Sequence, residues 1–441
     1  MLIYATRITN RLGYTLNVVL RHILQLDFTI TTDATIFANS EEPKFSYGTA
    51  PVGDAPHIHS CGLLFSTTIE EQNIKPTKLD DLPIIFPSYA KNALLPFDLF
   101  AATFYLVTRY EEYLPHHVDP HGRFIASESL AFRQHFLHIP IVDRWALMLY
   151  DRLKEAYPSL PPTRRRFEFV ATIDIDAAYC YKHKGIFRTL MGLTKDTLIE
   201  PNKEATIERL KVLAGKERDP FDTFDYIIGL KKKYHKEKLL IFPLVSDYGQ
   251  YDKPISYANK HFRDLVQHLG DYAKMGVHTS YNASQSPDTI KKETQRLSEI
   301  LHRPIIRNRF HFLRLRLPQS YRFLTQEGIL HDYTMGYADE PGFRSGTSTP
   351  YPFYDLEHDE ESTLLIHPFC VMDTTLMKYK GLSPEQALEE YKKLIDETKA
   401  VNGTFCAIWH NQNICDTPAF IGWRKIYEEA TIYALDQIKP S

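Results

Sequence analysis

The chain has 441 residues, which is enough for two or three domains of ordinary size. Hydrophobic residues make up 43% of it and charged residues 24%, so the disordered, collagen-like and coiled-coil classes are excluded. With 52 Lys and Arg against 55 Asp and Glu, the net charge is −3, which provides no overall field to attract nucleic acid or anionic lipid. We therefore expect a globular protein without a nucleic-acid partner.

No segment has the pattern of a membrane anchor or an export signal. The longest apolar stretch, 94–107, is interrupted by Pro96 and Asp98 and is shorter than the roughly 20 residues of a membrane span. The first seven residues lack the charged, apolar and small order of a signal peptide. The five cysteines include no Cys-x-x-Cys pair, which argues against a disulfide framework or a cysteine zinc site. We expect a cytoplasmic protein without a membrane span.

The first part of the chain predicts a small α/β domain. Its elements, in chain order, are a helix over 10–24, a strand over 28–32 and an aromatic helix over 97–113. The proline-rich stretch 158–162 and the three arginines after it interrupt the pattern, and we place a domain boundary there. The first domain is therefore expected to span residues 1–160.

The loop His116–Arg123 contains three histidines, an aspartate and an arginine. Such a loop is typical of a metal or phosphate site, but closely spaced histidines in a turn are more often simply solvated. Both interpretations stay open from the sequence.

After the boundary, short apolar runs alternate with helical stretches of ten to twenty residues. Seven parallel strands with outer helices favour a (β/α) barrel, which we expect to span residues 167–441. The predicted strands are Phe167–Ile173, Leu239–Val245, Met275–Val277, Ile305–Asn308, Ile329–His331, Thr363–Ile366 and Thr404–Trp409.

Each predicted strand ends in a polar or ionisable side chain. In a (β/α) barrel the loops after the strands converge on one mouth, where the chemistry gathers. One such residue is usually a cap or a surface group, but seven at one rim indicate a site. The seven ends are Asp174-Ile175-Asp176, Ser246-Asp247, His278, Arg309-Phe310-His311, Asp332, His367 and His410-Asn411.

The pair Asp174 and Asp176 is the most specific of these features. Alternate residues of a strand point to the same face, so the two carboxylates would share one site. Their mutual repulsion must be offset by a bound cation or by a proton held on one of them. The competing interpretation is a solvated turn, which the apolar character of residues 167–173 disfavours.

These motifs resemble the polysaccharide deacetylases of carbohydrate esterase family 4, the NodB-homology domain, over residues 167–437. Residues 172–176 are similar to the family's first motif, Thr-Phe-Asp-Asp, with one residue inserted between the acids, and residues 276–280 to the start of its second, a His-Ser/Thr-x-x-His pair. The resemblance implies a distorted seven-stranded (β/α) barrel. It continues at Arg309, Asp332 and Ile366-His367, which are similar to the arginine, acid and closing histidine motifs.

Two motifs of the first part are similar to an uncharacterised domain that precedes such deacetylases in Bacteroidetes-type proteins. They are Thr-Arg-Tyr-Glu-Glu-Tyr at 108–113 and Val-Asp-Arg-Trp at 142–145. This similarity implies no chemistry.

The second motif departs from the family. Four residues after His278 the family has a second histidine ligand, whereas this chain has Asn282, a much poorer ligand for zinc. His311 shares a strand face with Arg309 and could enter the same mouth as a substitute. The alternative is that His311 is a packed histidine of an aromatic strand.

The resemblance implies a metal-dependent hydrolase that removes acetyl groups from N- or O-acetylated sugars of a polysaccharide or its precursor. Asp174 would act as the base. Asp176, His278 and His311 would hold a divalent metal, which is usually zinc in the family.

The resemblance also implies the remaining roles. Arg309 and Asp332 would orient the base through charge-assisted hydrogen bonds. The acid would be His410 or His367, and we favour His410. The carbohydrate would contact Asp247, Tyr281, Trp409 and Asn411.

Two other classes of function stay open. Because Asn282 replaces the usual ligand, the chain could be a non-catalytic carbohydrate-binding protein with a degenerate metal site. It could also hydrolyse another non-peptide C–N bond, since fold alone does not fix the reaction. Glycosidase chemistry is disfavoured because it needs two separated carboxylates, about 5–10 Å apart, on either side of the sugar.

Overall fold

The computed structural model describes residues 1–199, 201–234 and 238–438, so the last three residues of the predicted second domain lie outside the described residues. The strands are short and cluster in four sheets. They are β1 Leu2–Ala5, β2 Thr29–Thr31, β3 Lys44–Gly48, β4 His57–His59, β5 Thr77–Leu79, β6 Leu82–Ile84, β7 Glu168–Ile175, β8 Lys238–Pro243, β9 Lys274–Met275, β10 Val277–Thr279, β11 Arg307–Phe310, β12 His331–Asp332, β13 Tyr351–Asp355, β14 Glu360–Ile366, β15 Val371–Met372 and β16 Thr404–His410.

Several helices begin at side chains that accept backbone N–H groups, whereas α5, α6, α11 and α13 have no such cap among the described residues. Ser383 and Gln386 form a capping box at the start of α12, and Ser286 caps α10 ahead of Pro287. The α-helices are α1 Asn10–Leu16, α2 Ala34–Asn39, α3 Leu99–Val107, α4 Leu130–Arg133, α5 Ile141–Ala156, α6 Ile186–Thr194, α7 Lys203–Leu213, α8 Phe224–Tyr234, α9 Lys260–Gly270, α10 Pro287–Leu301, α11 Gln319–Gln326, α12 Pro384–Ala400 and α13 Trp423–Asp436. The π-helical segments are Asn17–Ile23, Lys195–Ile199 and Thr375–Tyr379. No described helix is long and apolar enough to cross a bilayer.

The first four strands form a parallel sheet in the order β2-β1-β3-β4. The central strand β1 buries Ile3 and Ala5 completely. Strands β5 and β6 form a separate antiparallel hairpin. Its two turn residues, Asp80 and Asp81, both have positive φ, as a tight hairpin turn of this handedness requires.

The strands after residue 167 form two five-stranded sheets. Their orders are β15-β16-β7-β8-β9 and β10-β11-β12-β14-β13, and every pair is parallel except the antiparallel pair β13–β14. An isolated parallel bridge between Leu244 and His278 links the two sheets. The chain is therefore a mixed α/β protein.

Each of the seven predicted strands overlaps an observed strand. The predicted strand over 275–277 is split into β9 and β10 at Gly276, where a Cβ atom would lie 2.4 Å from the Phe242 ring. The pattern did not predict β13 or the two-residue β15. With these two additions and the split, the hydrogen bonds define two sheets, and the single seven-stranded barrel stays a prediction.

Alternation along β7 decides which side chains face the interior. Ala171 and Ile173 pack in the large apolar cluster beneath the surrounding helices. Val170 lies in a separate small apolar cluster on the opposite face of the strand. Asp174 and Asp176 share the parity of Val170, so both carboxyl groups point away from the helices.

The first 160 residues share an apolar core with the second half of the chain. One cluster joins α1, α3 and α5 to side chains of α10, α11, β13 and β14. At its centre the Tyr354 ring lies 4.7 Å from Tyr14 and 5.3 Å from Phe104, measured between ring centroids. The separate packing of a domain 1–160 is therefore still only a prediction.

Buried charges reinforce this contact in a group we call the junction cluster: Arg109, Glu111, Glu112, Tyr337 and Arg344. Glu112 accepts hydrogen bonds from Arg109 Nε at 2.7 Å and from Arg344 Nη2 at 2.7 Å. Arg109 also donates to Glu111 and to the Tyr337 hydroxyl. Burial would raise the pKa of Glu112, but Arg344 and Arg109 outweigh it and lower the pKa to about 2.

The Val-Asp-Arg-Trp motif has a related function. The Asp143 carboxylate accepts hydrogen bonds from the Thr347 and Thr349 hydroxyls and from the Ser348 backbone N–H. Arg165 pairs with the same carboxylate at 2.6 Å. Both motifs of the first region therefore hold one segment of the second, residues 343–349.

Candidate metal and catalytic site

A cavity of about 320 Å³ lies at the carboxyl ends of β7, β10, β11 and β16. Residues from both regions of the chain line it, and acids, histidines and aromatic rings predominate. The lining residues are Arg123, Asp174, Asp176, His278, Phe310, His311, Phe312, Leu313, Met372, Thr374, Lys378, Tyr379, His410 and Gln412.

Asp174 is held rigidly at the floor of this cavity. Arg309 Nη1 donates to Asp174 Oδ1 at 2.6 Å and to the Thr172 hydroxyl at 2.8 Å, while its Nε donates to the Tyr333 carbonyl. Both Asp174 and Arg309 are buried. The second carboxylate oxygen, Oδ2, lies 3.7 Å from His278 Nε2. One oxygen of Asp174 is thus fixed and the other faces the neighbouring histidine.

Asp176, His278 and His311 converge on one point. Their potential ligand atoms all lie within 4.8 Å of one another. His278 Nε2 is 3.2 Å from Asp176 Oδ1, and His311 Nε2 is 3.6 Å from Asp176 Oδ2. This is the spacing of groups that can share one ion, although zinc–ligand bonds of about 2.0–2.2 Å require a small inward movement.

The outer nitrogens of both histidines are already engaged. His278 Nδ1 lies 2.9 Å from the Arg309 carbonyl oxygen, to which it can only donate. His311 Nδ1 lies 2.7 Å from Asp252 Oδ1. Each contact fixes the ring and directs Nε2 at Asp176, which is how histidines that bind metals are usually oriented.

The site also contains a buried oxygen atom without a hydrogen bond among the described residues. Asp176 Oδ1 is buried without a hydrogen bond from any described group. Burial would raise the pKa of Asp176, but the nearby imidazoles of His311 and His410 outweigh it and hold the pKa well below its usual range. A carboxylate kept ionised beside two Nε2 atoms fits a divalent cation, and three N or O ligands leave open positions on zinc.

His410 faces the same point from β16. Its Nδ1 lies 2.7 Å from Asp373 Oδ1, its backbone N–H donates to Asp373 Oδ2, and its Nε2 is 3.8 Å from Asp176 Oδ2. Burial lowers the pKa of His410, but the carboxylates of Asp373 and Asp176 outweigh it and raise the pKa to about 9. The ring therefore carries a proton at neutral pH.

The cavity includes residues that the sequence did not point to. Asp252 orients His311, and Asp373 orients His410. Nothing in the local sequence of either aspartate marks it as part of a site. Arg123 comes from the histidine-rich loop of the first region and donates to the Phe312 carbonyl and to the Tyr379 hydroxyl. Asp119 pairs with Arg123 at 2.6 Å. The loop thus contributes an arginine to the cavity, where the sequence drew attention to its histidines.

Two predicted sugar contacts on β16 and after it lie outside the cavity. Trp409 is buried on the outer face of the strand, where its ring stacks on Tyr391 at 5.0 Å and meets Tyr427. Its neighbour His410 points inward because adjacent strand residues face opposite sides. Asn411 is buried and donates to the carbonyls of Ala177 and Phe221. Both residues therefore stabilise the packing of β16 and the loop after it, and neither faces the cavity.

The other two predicted sugar contacts are also engaged elsewhere. Asp247 is exposed and pairs with Lys292 and Arg296 on the surface. The Tyr281 ring stacks on Tyr251 at 4.2 Å, and its hydroxyl lies 3.0 Å from His121 Nδ1. Neither residue lines the cavity.

Asp332 and His367 are likewise placed away from the cavity. Asp332 faces α11 and accepts hydrogen bonds from Asn308, Tyr321 and Thr334. We expected it to act together with Arg309, but these bonds direct it elsewhere. His367 Nε2 lies 3.0 Å from His331 Nδ1. Burial and the neighbouring His331 lower the pKa of His367 to about 3, so its ring is uncharged at neutral pH.

Asn282 is exposed and is not among the residues lining the cavity. His311 reaches Asp176 from the neighbouring strand instead, since it follows β11 in a short turn where Phe312 has φ 60°. His311 can therefore supply the ligand atom that the family takes from a histidine at the position of Asn282.

Residues 1–158 match a family described as a family of unknown function, DUF7033. No curated protein matches the chain.

Solved structures with some likeness belong to carbohydrate esterase family 4 and related proteins. A protein from Mycobacterium smegmatis assigned as a polysaccharide deacetylase is 14% identical, with a TM-score of 0.39 over 62% of this chain and 84% of its own. The polysaccharide deacetylase of Bacillus cereus is 10% identical, with a TM-score of 0.29 over 60% and 88%. A family 4 pseudoenzyme from Bacillus anthracis is 9% identical, with a TM-score of 0.30 over 62% of each chain, so this chain spans less than two thirds of its length. TM-scores below 0.5 carry neither fold nor activity over to this chain.

Proposed function

We propose that the chain is a metal-dependent hydrolase that removes acetyl groups from acetylated carbohydrates. The observation that carries the proposal is the convergence of Asp176, His278 and His311 on one point between Asp174 and His410. The carbohydrate part rests on the sequence motifs, which resemble those of polysaccharide deacetylases. In this proposal the two sheets after residue 167 act as two parts of one distorted barrel, with the cavity at its mouth.

The residues that would hold the metal are Asp176, His278 and His311. A divalent cation bound there, with zinc as the first choice, would supply a Lewis acid for the acyl oxygen and lower the pKa of a nearby water molecule.

Asp174 is suited to take the proton of the attacking water. Arg309 donates to Oδ1 of this carboxylate, so the other oxygen, Oδ2, can face a water molecule in the cavity. A positioned base of this kind typically accelerates a reaction by about 10²–10⁴-fold. The position of Arg309 below the cavity makes it a positioning residue for Asp174.

His410 is suited to give a proton to the leaving nitrogen or oxygen. The Asp373 carboxylate lies 2.7 Å from Nδ1, where it fixes the ring and favours its protonated form, and Nε2 faces the cavity. Base and acid are register partners on the neighbouring strands β7 and β16, and both line the cavity. At the end of one turnover Asp174 holds the proton of the water and His410 has lost one, and exchange with solvent restores both.

The walls of the cavity match a small acyl group. Phe310, Phe312, Leu313 and Met372 form apolar lining close to the acids. At about 320 Å³ the space lies at the small end of the usual range for ligand sites. We expect the acetyl group to enter it while most of the sugar stays at the rim.

The test is release of acetate by the full chain loaded with zinc, with N- and O-acetylated oligosaccharides as substrates. Asp174→Asn should reduce release by about 10²–10⁴-fold while zinc still binds. Asp151→Asn, a matched change at an exposed acid of α5 outside the cavity, should leave the rate unchanged.

Two results would overturn the proposal. One is release by Asp174→Asn at the rate of the unmodified chain. The other is tight binding of the same sugars by zinc-loaded protein without any release of acetate, which would favour a non-catalytic carbohydrate-binding protein.

A further inference from the structure

A pair of helical segments between β7 and β8 exposes its large apolar side chains. We call it the helical pair, and it consists of residues 186–199 and Lys203–Leu213. Six of its apolar side chains in the first segment are between 57 and 83% exposed, and α7 adds three more. They are Ile186, Phe187, Leu190, Met191, Leu198 and Ile199 in the first segment and Ile207, Leu210 and Leu213 in α7.

Three charged side chains of the helical pair, Arg188, Asp196 and Arg209, face the protein, whereas Lys195, Lys203 and Lys211 are exposed. Asp196 pairs with Arg209 at 2.7 Å between the two segments. Gly192 lies against the same guanidinium, where a Cβ atom would be 2.5 Å from it. Arg188 donates to the backbone carbonyls of Lys253 and Pro254. A surface helix of a soluble protein normally buries its large apolar side chains, and here they are exposed instead.

This reversal requires something to cover the apolar side. An exposed apolar patch of this kind marks a surface that binds a protein or a membrane. Single apolar residues such as Ile36 and Ile421 are also exposed, but no other exposed large apolar residue of the described chain lies close to either of them in the sequence.

The charge of the segment favours an anionic surface. Residues 182–213, which include the whole helical pair, contain seven lysines and arginines and four acids. Their local net charge is therefore +3, whereas the whole chain carries −3. The overall charge provides no attraction to anionic lipid, but the apolar segment itself carries the opposite sign. A basic amphipathic helix with this arrangement is typical of proteins that lie on anionic membranes.

A tyrosine between two cations stands beside the pair. Tyr248 is 59% exposed, and its ring lies 4.5 Å from the Arg188 guanidinium carbon and 4.4 Å from Lys253 Nζ. Tyrosines with neighbouring cations are enriched where a membrane surface meets water. Arg188 is fastened to residues 253 and 254, directly after Asp252, which contacts His311. The helical pair thus lies on the same side of the sheets as the cavity mouth.

We propose that the helical pair docks the protein onto an anionic phospholipid surface, with its apolar side chains inserted among the lipids. The inference does not depend on the hydrolase chemistry. If that chemistry also holds, the docked protein would have its cavity next to the lipid, where an acetylated sugar carried on a lipid would lie.

The experiment is co-sedimentation of the full chain with vesicles of phosphatidylcholine alone and of phosphatidylcholine mixed with phosphatidylglycerol. We expect binding to the mixed vesicles that weakens as salt rises. The double change Phe187→Asp with Leu190→Asp should weaken this binding at least about tenfold, because two large apolar side chains no longer insert. Ile36→Asp and Ile421→Asp, equally exposed but isolated, are the matched controls and should bind as the unmodified chain does.

Three outcomes would overturn the proposal. Equal sedimentation of the double variant and the unmodified chain would show that these side chains do not insert. Absence of binding to the mixed vesicles would exclude the lipid surface. Light scattering that shows a dimer, dissociated by the same double change, together with no vesicle binding, would assign the apolar side to a second copy of the chain. Circular dichroism of each variant checks that it is folded, and none of these measurements uses enzymatic activity.

Discussion

The junction cluster and the cavity cluster, by which we mean Asp174, Asp176, His278, His311 and His410, are both buried groups of charges, yet they differ in how their charges are satisfied. Glu112 accepts bonds from two arginines and has a pKa of about 2. Asp176 Oδ1 has no hydrogen bond from a described group, and its neighbours are histidines held at a distance above 3 Å. A fully paired cluster fixes the structure, whereas one whose acid keeps an oxygen without a hydrogen bond is ready to accept something from outside.

The strongest test of this difference removes the acid of the junction cluster. Glu112→Ala would leave Arg109 and Arg344 buried without their shared carboxylate, so we expect a loss of about 3–5 kcal/mol in the free energy of unfolding. Urea denaturation measures it. Glu389→Ala, which removes a surface pair with Lys392, should cost no more than about 1 kcal/mol. Similar small losses in both variants would contradict the structural role of the junction cluster.

The corresponding change in the cavity should act on metal binding. His278→Ala is expected to lower zinc affinity by about 10²–10³-fold, since sites with four ligands bind with about 10–16 kcal/mol, or roughly 2.5–4 kcal/mol for each ligand. Titration calorimetry with zinc measures this. His331→Ala, in a histidine that does not line the cavity, is the matched control. Unchanged affinity in His278→Ala would remove the proposed metal site.

A third buried acid lies between these two extremes and responds to pH. Glu293 is buried and accepts one hydrogen bond from the Ser280 backbone N–H. Burial raises its pKa to about 7, with a smaller contribution from Asp252. A raised pKa in the folded state means that its contribution to stability is complete below pH 4.5 and is lost as pH rises through 7.

We therefore expect the stability of the unmodified chain, relative to Glu293→Gln, to fall by about 3 kcal/mol between pH 4.5 and 8. Urea denaturation of both chains across this range measures the difference. A constant difference would show that Glu293 is ionised in the folded protein throughout the range.

The smallest expected effect concerns the residues that orient the metal ligands. Asp252→Asn would remove the carboxylate beside His311 Nδ1, and we expect zinc affinity to fall about 10–100-fold. In a His311→Ala background the same change should have little further effect, because Asp252 would act through that ring. Additive losses in the double variant would show that Asp252 influences the site by another route. Asp396→Asn, at a position outside the cavity, serves as the control.

The sequence predicted local features well and long-range contacts poorly. Alternation along β7 placed Asp174 and Asp176 on one face, and the same rule, applied to β16, puts Trp409 on the face opposite His410. Asp252 and Asp373 could not be predicted, since their histidine partners lie 59 and 37 residues away in the chain.

Contacts between the two regions could be predicted even less. Arg123 bonds the carbonyl of a residue 189 positions later, and Glu112 bonds an arginine 232 positions later. Sequence patterns report the periodicity of single elements, whereas these contacts depend on how elements pack. The motifs at 108–113 and 142–145 were recognised as distinctive, but their task of holding residues 343–349 appears only in three dimensions.

The shared core has a consequence for how this chain can change over evolution. A recombination event at residues 158–166 would separate α1, α3 and α5 from the apolar side chains of β13 and β14, and would remove Arg123 from the cavity wall. A descendant with a foreign first half would begin with an uncovered apolar face and a damaged site. The two halves therefore have to be inherited and to diverge together, as one unit of selection and not as interchangeable modules.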